Sequence, residues 1–347
     1  MSMRGRIVAP ELRISSLAGC KTAFDNEASP FQLRFSIISS VVESGRSGWS
    51  APPAVFKPRT HEAETKMKVT RKHFLAILVI VILHSPAASA LTVLTHCIGG
   101  TPPSNAAGEG TLTDIVNAAA RIWESAYADP SVISLYFGWA PVGEAGTHTL
   151  IEQGGDPNRE VVGTILFDNT GAVSFFLDPT PYASEEYRRR TEESQDLGAG
   201  LINVSRLYSN PVGEAAGHTD LLSVALHEIG HALGMSMANL AFSSYIRAGG
   251  IGIMADLPFA GTYIPLAANN AGHTSHFDAL QVDYGSVMTG ICGDERRIPS
   301  ALDILANAQV SGFKLVNFNA SEFASRPAAP QGVGSAQPGV LSRRRSN

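Results

Sequence analysis

The residues best placed to do chemistry are His227, Glu228 and His231, in the run LLSVALHEIGHALGM that begins at Leu221. Two imidazoles four residues apart on a helix stand one above the other on the same face, so both can reach a single metal ion. The carboxylate between them points to where a water on that ion would sit. The chemistry is metal-assisted hydrolysis: a zinc ion lowers the pKa of its water and polarises a carbonyl, while Glu228 takes the proton as general base and hands it to the leaving group. The elements needed to hold these residues are also readable. Asp220 is an N-cap, and Leu221, Leu222, Val224, Ala225, Leu226, Ile229, Ala232 and Leu233 make the helix apolar almost all round, as expected for one buried inside a domain. Gly234 tolerates positive φ and is placed to end the helix and turn the chain away. The alternative, two core histidines satisfied by hydrogen bonds, is countered by the cap, the buried helix and the trailing glycine.

A catalytic zinc takes three protein ligands and a water, so a third ligand is required. His273 and His276 are candidates, and Asp256 and Asp283 keep an aspartate ligand open. A Glu ligand is disfavoured, because none occurs between Glu228 and Glu295. His218 lies more than two helical turns before His227, too far along the axis to share an ion, and reads as a partly exposed loop residue.

The helix motif, with His276 in the run GHTSHFD and Met288 in SVMTG, resembles the metzincin zinc peptidases. The extended metzincin motif would place a histidine at 237, where this chain has Met237. The leishmanolysin-like branch, in which an insertion separates the helix from a distant third histidine, is the closer resemblance. It covers residues 111 to 313. It implies an α+β catalytic domain with a mixed, twisted sheet, an active-site helix and a last helix after a Met-turn. It further implies His276 as third zinc ligand, Met288 as the Met-turn residue beneath the metal, and a zinc endopeptidase acting on proteins or peptides. Metzincins often use a tyrosine on the oxyanion; Tyr284 and Tyr263 are available, though each reads better as a packing or surface residue. A function of another class is a secreted module that keeps the zinc fold for binding or structure.

Hydrophobic spacing predicts a helix over 111–127 and strands over 132–139 and 161–168. Asn169-Thr170-Gly171 reads as the turn of a hairpin returning through 172–178. The charged tract 182–196, with Arg188, Arg189 and Arg190, reads as a solvated helix or loop. Residues 240–271 are the insertion between the ligands. Arg296 and Arg297 read as a loop leading to a last helix, with Ser300 as N-cap and Asp303 at the capping-box position.

Residues 67–90 combine a basic start, an apolar run from Phe74 to Leu83 and the triplet Ala88-Ser89-Ala90. That is the order of a secretory signal peptide cleaved near Ala90 and too short to span a bilayer, so the expectation is a secreted protein with no stable membrane span. Residues 1–66 carry nine Lys+Arg against six Asp+Glu, a net of +3, whereas 91–325 carry ten against twenty-five, a net of −15. The first segment has no sustained periodicity and reads as a non-native or disordered extension, or else as a cytoplasmic part ahead of a signal anchor. The metallopeptidase domain then spans 91–325, and 326–347 is a flexible tail. An acidic domain excludes nucleic acid and anionic membrane surfaces as partners. Cys97 and Cys292 are an even pair for one disulfide after export; free thiols, or Cys97 blocking the zinc, are the alternatives.

Overall fold

A computed structural model describes residues 90–246, 252–255, 259–269, 272–290 and 293–320, with 269, 272 and 273 described by their backbone only. The expected leader 1–66, nearly all of the signal peptide, the tail 326–347, Asp256 and Cys292 lie outside the described residues. Cys97 is exposed and has no disulfide partner among them. No helix among them is long and apolar enough to cross a membrane.

The fold is α+β. Strand β1 (Thr92–Gly99) leads to helix α1 (Leu112–Glu124) and back to β2 (Val132–Ala140), which pairs with β1 in parallel. Thr111 caps α1, its hydroxyl accepting from the Asp114 amide at 3.1 Å. Leu112, Ile115, Val116, Ala119, Ile122 and Trp123 bury the expected face. The helix ends at Glu124, three residues before the predicted limit, where Ser125 turns its hydroxyl onto Ile122 O. Strands β3 (Gly146–Gly154) and β4 (Arg159–Asp168) complete a mixed sheet in the order β1-β2-β4-β3, with β3 antiparallel at its edge.

The predicted hairpin over 161–178 is therefore wrong. The hairpin partner of β4 is β3, which precedes it, whereas Phe175–Phe176 (β5) leaves the sheet and pairs in parallel with Thr219–Asp220 (β8). Both phenylalanines are buried, so the apolar run after the turn marks a buried crossing and not a second strand of β4's sheet. The tract 182–196 is corrected too. Tyr187–Asp196 forms β6, one arm of a long hairpin with β7 (Leu201–Pro211), and its charges are solvated while β7 buries Ile202, Val204 and Leu207. Charges along an edge strand discourage pairing with other chains.

Helix α2 (Leu221–Ala232) packs against α1, β3 and β4, and all twelve of its residues are buried. The insertion holds α3 (Leu240–Ile246), β9 (Gly252–Met254) and β10 (Tyr263–Asn269), and β11 (Gly272–Phe277) follows it to complete a small sheet ordered β11-β10-β9. Arg296–Arg297 (β12) pairs with β7, a short strand where a loop was expected, and α4 (Ala301–Ser311) closes the fold. One apolar core runs between the sheet and the helices.

Candidate metal centre

Helix α2 is built to hold its histidines still. The Asp220 carboxylate caps it, accepting from the Ser223 amide at 3.0 Å and the Ser223 hydroxyl at 2.6 Å. The same carboxylate pairs with Arg296 at 2.9 Å, and Arg296 also pairs with Asp178, all three side chains being fully buried. Trp123 fastens α1 to α2 by donating its indole N–H to Leu226 O at 2.9 Å. The helix ends as its sequence indicates: Gly234 adopts φ +144°, and the turn brings Met235 O against His231 Nδ1.

His227 and His231 meet His276, at the end of β11. Nε2 of His227 lies 3.0 Å from Nε2 of His231 and 3.1 Å from Nε2 of His276. The rings of His227 and His276 are nearly parallel, 8° apart, and His231 stands across both at 86° and 83°. The ligand atoms of the three all lie within 4.8 Å of one another, close enough to hold a metal ion.

The hydrogen bonds behind the rings explain how an ion can be held there. His227 Nδ1–H donates to Val287 O at 2.7 Å, and His231 Nδ1–H donates to Met235 O. Each ring then presents a lone pair at Nε2, and two lone pairs at 3.0 Å repel. A proton between them would need one ring charged, and burial opposes that. It lowers His231 to about 4 and His276 to about 3, and holds His227 well below its ordinary value, where the neighbouring histidines add to the effect. Neutral imidazoles with converging lone pairs are the donor set of a metal site, and carbonyl partners on the far nitrogens are its usual outer support. The spacing fits as well: two nitrogens at 2.0–2.1 Å from a tetrahedral ion are roughly 3.3 Å apart.

No family model and no curated protein matches this chain.

Glu228 is buried beside the histidines. Burial, with Glu144 as a second and smaller cause, raises its carboxyl to about 8. Edge strand β3 crosses this side of α2 at Gly146, where a Cβ would come within 2.9 Å of Glu228 Oε1 and 3.0 Å of Val224 Cγ1. Beneath the helix, Met288 packs onto Gly230, and a Cβ there would lie 2.4 Å from Met288 Sδ. The turn carrying Met288 hangs on Asp303, whose carboxylate accepts from the Val287 amide at 3.2 Å, the Met288 amide at 2.9 Å and the Ser286 hydroxyl at 2.5 Å. Asp303 also completes the predicted capping box with Ser300.

The other candidates that are described lie elsewhere. His218 contacts Ala216 O in its loop and is not in the cluster. Asp283 is occupied by the Gly285 amide at 2.8 Å. The His273 side chain and Asp256 lie outside the described residues. Tyr284 is half exposed, with the Arg297 guanidinium 5.7 Å from its ring, and Tyr263 lies on β10. Met237 packs against the core.

Sequence reasoning missed one pair. His148 on β3 stacks near His231, with ring centroids 6.4 Å apart, and its Nε2 is 2.8 Å from Glu160 Oε1 on β4. The contact has the geometry of an ion pair, but burial lowers His148 to about 4 and raises Glu160 to about 9, so the pair is neutral, with the carboxyl O–H donating to the imidazole. A Cβ on Gly163 would lie 1.9 Å from Glu160 Oε1, so glycine makes the room. Nothing in the spacing of 148 and 160 signals this.

Proposed function

We propose that the chain is an exported zinc-dependent endopeptidase of metzincin type, closest to the leishmanolysin-like branch. The observation that carries this is the convergence of three neutral imidazoles with Glu228 buried beside them. His227, His231 and His276 would hold the metal, three nitrogen ligands suit zinc, and the remaining position would be left for water or substrate. Zinc supplies Lewis acidity, polarising a carbonyl and acidifying water.

The chain's own residues do the rest. Glu228, the general base, accepts a proton from the attacking water and returns it to the leaving amine as the peptide bond breaks. A cation at the histidines offsets the burial that raises its carboxyl, keeping it ready as an acceptor. Strand β3, at the sheet edge beside Glu228, presents backbone groups to which an extended peptide can add as a further strand. Val287 O and Met235 O fix the tautomers of two ligands, and Met288 supports the helix that carries them. The mixed sheet, the edge strand, the turn at Met288 and the last helix agree with the metzincin reading, as does the domain's acidic balance with secretion.

The test is hydrolysis of an unfolded protein substrate by the purified chain with zinc, beside Glu228→Ala. The variant is expected to bind zinc as before and to lose about 10²–10⁴-fold in rate. Equal inactivity of both, with zinc bound, would transfer the assignment to a non-catalytic zinc-binding module.

A further inference from the structure

The start of β1 is built around a backbone nitrogen. Leu91 is buried in the core at 3 % exposure, while Ala90 is exposed at the mouth of an open groove of about 600 Å³. Glu124, Ser125, Tyr127, Lys314 and Asn317 are among its lining residues. Amides alternate in direction along a strand. The Thr92 amide bonds to Ser131 O at 2.8 Å, toward β2, so those of Leu91 and Val93 turn the other way, toward the C-terminal end of α1. There the Leu91 amide meets Tyr127 O at 3.3 Å and the Val93 amide meets Glu124 Oε1 at 2.8 Å. A carbonyl, a carboxylate and the negative end of a thirteen-residue helix thus face one short stretch of backbone.

We propose that the bond between Ala90 and Leu91 is cut and that the new α-ammonium of Leu91 is seated at the end of α1, held by Tyr127 O and balanced by Glu124. A secretory endopeptidase adds one water across the bond. The carbonyl carbon of Ala90 takes the hydroxyl and leaves as a carboxylate, and the Leu91 nitrogen keeps the bonding electrons and is protonated. The ammonium inherits the amide's contact with Tyr127 O as a stronger, charge-assisted bond. Glu124 becomes its counter-ion. Among the described residues the other charged groups at the groove are Lys314, on its wall, and Asp129, which already accepts from the Lys314 and Leu315 amides. The ammonium's pKa is raised above the ordinary α-amino value of about 7.7–8.0, so its stabilisation is complete below that range and disappears as pH rises through the raised value. The inference depends on export and not on catalysis, and none of its readouts is activity, so either reading can fail alone.

The experiment secretes the full-length chain with its own leader, determines its amino terminus by mass spectrometry, and labels it with an amine-selective acylating reagent. The expected terminus is Leu91, its amine reacting at least tenfold more slowly in the native protein than in urea. Glu124→Gln keeps an acceptor for the Val93 amide and removes the charge. It should recover most of the lost reactivity and lower the melting temperature at pH 6 by more than at pH 10. Another terminus overturns the proposal, and so does an amine equally reactive in both states. A melting difference that is constant with pH leaves Glu124 only an acceptor for the Val93 amide and rules out the ion pair.

Discussion

Helix α2 and strand β11 both bring histidines to the same point, and they are held in different ways. The helix is buried along its length and pinned by a buried carboxylate–guanidinium cluster at its start, an indole hydrogen bond in its middle and a glycine turn at its end. β11 is one arm of a small hairpin, tied near its end where the Phe277 amide donates to Met288 O at 2.8 Å and the Asp278 amide to Pro265 O at 3.0 Å. Two ligands are thus preorganised by a helix buried along its whole length, and the third is delivered by one arm of a hairpin. A metal ion has more to order on the β11 side, and the cost of ordering is paid from its binding energy.

The largest effect expected comes from breaking the helix side. Arg296→Met leaves the Asp178 and Asp220 carboxylates buried without their partner, and urea unfolding should show a loss of about 3–5 kcal/mol. Metal removal sharpens the contrast between the two sides. With free metal at a hundred times its Kd, chelation should lower stability by about 2.7 kcal/mol. Hydrogen exchange should then quicken in 272–278 and stay slow in 221–232; uniform loss of protection would mean that the two sides are held alike. Gly230→Ala puts a methyl against Met288 and should cost about 1–3 kcal/mol, read as a lower melting temperature with or without metal.

A different kind of effect, read as a difference between two pH values, is the pH dependence carried by Glu160. Burial raises its folded value to about 9, above the ordinary 4.5, so its contribution is present below 4.5 and is lost as pH rises toward 9. Relative to the natural chain, Glu160→Gln should therefore gain stability between pH 5 and pH 9, checked by urea titrations at both ends. A difference independent of pH would mean that the carboxyl is ionised throughout.

The α2 half of the site was legible because its information is local: His227, Glu228 and His231 share one helical face, and Asp220 and Gly234 mark its ends. His276 was not legible in that way. It lies in another element, and residue types alone left His273, Asp256 and Asp283 open; the resemblance to metzincins chose among them. Ser300 and Asp303 announced the last helix, but Asp303's second task on the Met288 turn depends on a tertiary contact that no spacing encodes. Strand β3 went unread because an edge strand that buries only part of one face has a weak pattern. β6 was misread because charge was taken for helix or loop, when the apolar half of that hairpin is carried by β7.

Asp303 also sets an order of events. Its carboxylate holds the turn whose Val287 carbonyl orients His227 and whose Met288 carbonyl anchors β11. A chain growing from its amino end makes both helical ligands, the third histidine and the turn before it makes the residue that fastens them. Until residue 303 has left the ribosome the turn that orients His227 and anchors β11 lacks its fastening, so a nascent or C-terminally truncated chain carries all three histidines without the support that brings His276 to the other two. The position of one aspartate near the end of the fold thus decides when the three imidazoles can meet.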